Sequence, residues 1–299
     1  MIKEEIEKLL SKPGPKAGRT QRNLLILLAE HKTADTFPTS PRFLFYELEH
    51  RGQAAKPDPD DPRKSKRRSI GWPPGEQDVG SQLTYLREKK IVPWEWITDE
   101  TRNLDVWRYA PTVGKYLFDC LDEARINLWG NEEPPLILTE DRATAGVLQR
   151  IAARYLCPIA RTSGQCGGFL HTDIAPLLEK GSRVLYLGDL DRSGNAIEAN
   201  TRKVLENEIG FLDWKRIAMT KELAKEKKIE PIWKKDGRDG KYHWATEVEA
   251  LGQGEVIALL EAALEELLPQ SLASVQELEE EQRTRWTEIL EEIFEKILK

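Results

Sequence analysis

The sequence predicts an α/β domain, a mostly parallel sheet with helices on both faces, preceded by a mainly helical, winged-helix-like part. Three observations predict it. From Pro134 onward short apolar runs alternate with amphipathic stretches, the pattern of strands joined by crossover helices. Before Asn131 the apolar residues recur at helical spacing instead. The length, 299 residues, suits two domains rather than one, since domains typically hold roughly 100–150 residues. The expected division is residues 1–130, residues 131–252 and a pair of acidic helices over 253–299.

In the first part, residues 2–11 read as helix up to Pro13-Gly14-Pro15, and Thr20–His31 has the apolar spacing of an amphipathic helix. Ser40-Pro41 is a start signal for the next helix. A serine hydroxyl caps free backbone N–H groups, and proline is tolerated at the first helical position. That helix should end at Gly52. Two helices so tightly joined, with more helix over 79–90, suggest a helix-turn-helix of the winged type. Residues 53–78 hold too much proline and charge to pack and are expected to form a mobile basic loop. Trp94, Trp96 and Trp107 then imply a packed aromatic layer, with a base-stacking surface as the rival reading.

In the second part the expected order is strand 136–140, helix 141–155, strand 158–162, helix 168–179, strand 183–191, helix 195–207 and strand 215–220. Ligands of such sheets gather beyond the carboxyl ends of the strands. Glu140 ends the first strand, and Asp189 and Asp191 end the third. Side chains alternate along an extended segment, so the two aspartates of Asp-x-Asp point the same way. Three carboxylates at one edge repel one another unless a hard cation neutralises them, and oxygen donors of this kind suit Mg²⁺ or Mn²⁺. Gly194 allows a tight turn into a helix whose N-terminus favours anions.

Composition narrows the rest. With 39% hydrophobic and 32% charged residues, and no apolar run near the ~20 residues that span a bilayer, no membrane segment is expected. The acidic start does not read as a signal peptide, so a cytoplasmic, nucleoid-associated location is expected. Cys120, Cys157 and Cys166 form no CxxC pair, which argues against disulfide and zinc frameworks. The net charge of −6 does not advertise a nucleic-acid partner, but positive charge concentrates at residues 12–22 and 63–68, while residues 277–299 are acidic. The basic stretches would follow phosphates, or simply lie solvated.

The stretches ILTEDRATAGVLQRIA, RTSGQCGG and VLYLGDLDRSGNAI together resemble the Toprim domain, in the form found in the topoisomerase VI A subunit and related meiotic double-strand-break transesterases. The resemblance implies that Glu140, Asp189 and Asp191 hold magnesium. Thr162-Ser163-Gly164-Gln165 sits where that family has a similar turn, whereas Arg192 replaces its usual proline. EVEAL at 247–251 resembles the Glu-x-Glu-Ala-Leu stretch after the Toprim core, and SPRFLFYELEHRG resembles the winged-helix segment in which an arginine precedes the DNA-attacking tyrosine by four residues. Those are Arg42 and Tyr46 here. The implied chemistry is attack of Tyr46 on double-stranded DNA, with Arg42 holding the scissile phosphate and the metal supplied by a partner copy in a homodimer. A tyrosine phenol, with its pKa near 10, needs such a nearby cation.

Other readings stay open from sequence. One is a Toprim nuclease that uses metal-activated water; another is a DNA-binding subunit with a degenerate site. The chain has no nucleotide-binding glycine motif, so ATP-driven strand passage would need an ATPase subunit in trans. A haloacid-dehalogenase reading of LYLGDLDRS fits poorly because that class carries Asp-x-Asp on its first strand. His31, His50, His171 and His243 make no ligand pair at helical spacing. In the last helix Trp286, Ile289, Leu290, Ile293 and Ile297 form one stripe, expected to pack on the domain or to seam a homodimer.

Overall fold

The structure is a computed structural model that describes residues 15–55, 73–98, 107–162, 167–235 and 240–297. The first predicted helix, most of the basic loop including 63–68, and Ser163–Cys166 lie outside the described residues.

Among the described residues three helices build the N-terminal unit: α1 (Pro15–Thr33), α2 (Pro41–His50) and α3 (Glu76–Glu88). The Ser40 hydroxyl accepts the Phe43 N–H at 3.2 Å and Pro41 occupies the first turn, as the sequence signal requires. Helix α3 starts at Glu76, inside the stretch expected to be loop. Leu24, Leu28, Leu44, Phe45, Leu48, Val79, Leu83 and Leu86 close a core of their own. Each such side chain contributes roughly 1.5–3 kcal/mol when fully buried. The expected tryptophan layer forms only in part. Trp96 stacks on Phe37 at 4.4 Å, but Trp94 lies under the Arg87 guanidinium and stays half in water, and Trp107 is exposed.

After α4 (Val113–Asp119) the chain enters the α/β domain: β1 (Leu136–Thr139), α5 (Arg142–Arg154), β2 (Ile159–Arg161), β3 (Arg183–Leu187), α6 (Arg192–Ile209) and β4 (Asp213–Ala218). Residues 167–177 form a broken helical stretch rather than the single helix expected. The four strands are all parallel, in the order β2-β1-β3-β4. Ile137, Leu185 and Leu187 face the layer of α5 and α8 (Gln253–Leu267); the alternate residues Leu136, Leu138, Val184 and Tyr186 face the opposite layer with Leu205 and Leu212. Burial on both faces explains why these strands read as continuous apolar runs.

The sequence beyond β4 holds a short helix, α7 (Lys221–Glu226), and an antiparallel hairpin, β5 (Ile232–Lys235) with β6 (Tyr242–Ala245). A 3-10 turn over Val248–Leu251, helix α8 and the long α9 (Leu272–Ile297) follow. Trp286 and Ile293 of the α9 stripe are exposed, at 52% and 43%. No described helix is long and apolar enough to cross a membrane.

Candidate acidic site at the sheet switch point

The strand order creates the site. From β1 the chain crosses to β2 on one side and β3 lies on the other, so a crevice opens beyond the carboxyl ends of β1 and β3. Thr139 and Leu187 are register partners, which sets Glu140 directly beside the turn after β3. All three predicted acidic residues come together there. Glu140 Oε2 accepts the Asp189 N–H at 2.9 Å, Asp189 Oδ1 accepts the Val248 N–H at 3.0 Å, and Asp191 Oδ1 caps α6 through the Gly194 N–H at 2.7 Å. One oxygen of each carboxylate is thus fixed by backbone. Gly194 permits this approach because a Cβ there would lie 2.6 Å from Glu140 Oε2 and 2.4 Å from the Asp189 carbonyl oxygen.

The second oxygens of the aspartates turn toward a cation. Lys234 Nζ, reaching in from β5, lies 3.6 Å from Asp189 Oδ2, 3.5 Å from Asp191 Oδ2 and 3.0 Å from Glu247 Oε1. Among the described residues no three acidic, imidazole or thiol groups stand close enough together to hold a metal ion as they are placed. The donors are of the kind a hard divalent ion takes: Asp189 Oδ2 and Asp191 Oδ2 are carboxylate oxygens that share Lys234 Nζ as a neighbour, and the other oxygen of each is held by a backbone N–H.

Crowding of like charges shows in the protonation balance. Burial, with Asp189 next and Asp191 behind it, pushes the Glu140 carboxyl up to about 7. Burial also raises Asp189, opposed by the Lys234 ammonium, and raises Glu247, opposed by Arg42.

Arg42 and Tyr46 part company. Arg42 reaches the acidic centre of its own chain, with Nη2 3.3 Å from Glu247 Oε2 and Nε 2.8 Å from Glu249 Oε1. The approach to Glu249 is poorly angled, so the contact is an ion pair rather than a directed hydrogen bond. Burial opposes the Arg42 charge, but Glu249, Glu247, Asp141 and Asp189 outweigh it and hold the guanidinium above its ordinary value. Tyr46 is 2% exposed, edge-on to Phe45 inside the helical core. Direct attack on DNA from that position requires α2 to move first. Thr162 is buried and its N–H donates to the Thr139 carbonyl at 2.7 Å, while Ser163, Gly164 and Gln165 lie outside the described residues.

Nothing in the sequence pattern singles out Lys234 or Arg216. Arg216 on β4 donates from Nη2 to the carbonyls of Gly188 at 2.7 Å and Asp189 at 2.6 Å, pinning the turn that carries the aspartates. The available signal for Lys234 is the hairpin itself: two Asp-Gly pairs, Asp236-Gly237 and Asp239-Gly240, flanked by IWKK and KYHW. Glu247 and Glu249 stand in the EVEAL stretch, whose Val248 N–H also holds Asp189. No protein family, curated protein or solved structure matches this chain.

Proposed function

We propose that this protein hydrolyses phosphodiester bonds of DNA at the acidic centre, with Mg²⁺ or Mn²⁺ held by Glu140, Asp189 and Asp191, and that the nucleophile is water rather than Tyr46. The convergence of three backbone-anchored carboxylates at the sheet switch point carries the reading. The resemblance of the same stretches to the Toprim domain supports DNA as the substrate. Burial of Tyr46 favours hydrolysis over tyrosine transesterification.

When bound, the metal supplies a Lewis acid for the phosphoryl oxygens and strengthens water as a nucleophile. The chain's own residues do the rest. Glu140, ionised, completes the negative charge of the cage, and Asp189 and Asp191 orient their free oxygens through the bonds to Val248 and Gly194. Lys234, within 3.6 Å of Asp189 and Asp191, would be free to meet a phosphate oxygen where a metal took over those carboxylates. Arg42, engaged with Glu247 and Glu249, fastens α2 to the site instead of gripping the scissile phosphate. A homodimer joined through the α9 stripe would bring two centres to the two strands of a duplex.

Supercoiled plasmid incubated with Mg²⁺ tests this. Cutting is expected from the wild type and from Tyr46→Phe, with no protein left on the DNA ends. Glu140→Gln and Asp189→Asn should each lose cutting by at least about a hundredfold, a loss of roughly 2.7 kcal/mol in transition-state stabilisation. A dimer gives linear product from single encounters, a monomer nicked circles. Protein-linked 5′ ends that vanish in Tyr46→Phe would overturn the hydrolytic reading and restore the tyrosine.

A further inference from the structure

The β5–β6 hairpin has two chemically different faces. Trp233 pairs with Trp244 across it, and Lys234, the next residue along β5, points to the opposite face and into the carboxylates. The tryptophans stay in water, 39% and 63% exposed, with ring centroids 4.8 Å apart, and Tyr242 stacks on Trp233. Indoles bury large apolar areas when given the chance, so an exposed pair beside a site is a feature that calls for a ligand.

Trp244 lines an open cleft of about 890 Å³ that begins at Asp191 and runs to α7. Arg192, Lys221, Lys225 and Lys228 also line it, against the carboxylates of Asp191 and Glu230. Lys221, Lys225 and Lys228 are exposed and make no ion pair among the described residues. A row of uncommitted ammonium groups facing an exposed indole matches one ligand chemistry well. Phosphates of a nucleic-acid backbone take the cations, and an unpaired base, whose face is open, takes the ring. Paired bases hide their faces in the duplex stack, so the indole selects for unpaired ones.

We propose that this cleft binds an unpaired stretch of nucleic acid next to the reacting phosphodiester, with a base on Trp244 and phosphates on Lys221, Lys225 and Lys228. Asp191 belongs to both cleft and acidic centre, so a strand lying in the cleft leads its backbone to the acidic centre. The inference rests on the hydrolytic reading above and specifies its preferred substrate as DNA with an unpaired stretch, such as an overhang, a gap or the locally melted region of a supercoiled duplex.

Fluorescence anisotropy with two labelled DNAs, a blunt duplex and the same duplex with a 12-nucleotide overhang, tests it in EDTA, where cutting cannot occur. The wild type should prefer the overhang. Trp244→Ala should lose that preference by about 5- to 160-fold, the range for one base–aromatic stack, and Trp244→Phe should keep most of it. Converting Lys221, Lys225 and Lys228 to Gln together should flatten the salt dependence of overhang binding by about two in log–log slope. Equal binding of the overhang by wild type and Trp244→Ala would overturn the inference, as would a wild type that cuts plasmid but shows no overhang preference; in both cases the hydrolytic reading stands. A wild type that neither binds nor cuts DNA overturns both.

Discussion

Glu140 is the residue whose chemistry most exposes the strain of the site. Its folded-state carboxyl sits at about 7, against an ordinary 4.5, with burial the larger cause and Asp189 the next. The folded chain therefore holds an extra proton between those two values. Stability from this group is intact below about 4.5, falls as pH rises, and levels off above about 7. Glu140→Gln carries no such penalty. In EDTA its melting temperature should exceed that of the wild type at pH 8, with the gap closing by pH 4.5. Thermal unfolding followed by circular dichroism at several pH values checks this; a variant less stable than wild type at pH 8 would show that the carboxylate is not strained. Burying a carboxyl beside a like charge carries this cost in stability at neutral pH.

At the scale of elements, the stretch over Val248–Leu251 joins the two halves of the molecule. Glu247 and Glu249 meet Arg42 of α2, Val248 holds Asp189, and Ala250 enters the helical core. Glu47 of the same α2 accepts the Gln253 N–H at 2.9 Å and meets His31 Nε2 at 2.8 Å. Removing the guanidinium strands Glu249, which has no exposed surface. Arg42→Met should destabilise by about 3 kcal/mol, the low end for breaking a buried pair because the arginine is itself 31% exposed. Burial already raises Glu249, so protonation relieves the loss and the destabilisation shrinks as pH falls. Urea unfolding at pH 8 and pH 5 measures both; equal losses at the two values would contradict the assignment.

Much of this element order was legible. Ile137, Leu185 and their neighbours are buried on both faces, which gives apolar runs that need no partner to be recognised, and Asp141 and Asp191 cap the helices that follow. Glu140, Asp189 and Asp191 were legible for the same reason, since each follows directly on such a run. Lys234 was not, because it arrives from a hairpin some 40 residues beyond the aspartates, and a lysine among charged neighbours carries no pattern. The orientation of α2 was equally hidden. LFYEL is apolar on both sides of the helix, and only the packing sets Arg42 against Glu247 and Glu249 while Tyr46, one turn further on, is buried.

Across the whole molecule, charged contacts fix the helical unit to the α/β domain: Arg42 with Glu247 and Glu249, and Arg150 of α5 with Asp35 at 2.9 Å. The unit and the hairpin flank the switch-point crevice, and every group argued to matter converges on three carboxylates and one ammonium. The account stands on whether those carboxylates bind a divalent ion. Mn²⁺ titration followed by electron paramagnetic resonance tests this most directly, on wild type, Asp189→Asn and Lys234→Met. The expected result is one site per chain, lost in Asp189→Asn and tightened on the order of tenfold in Lys234→Met, where the metal no longer displaces an ammonium. A wild type that binds no Mn²⁺ at millimolar concentration, or an Asp189→Asn variant that binds it equally well, would contradict the account.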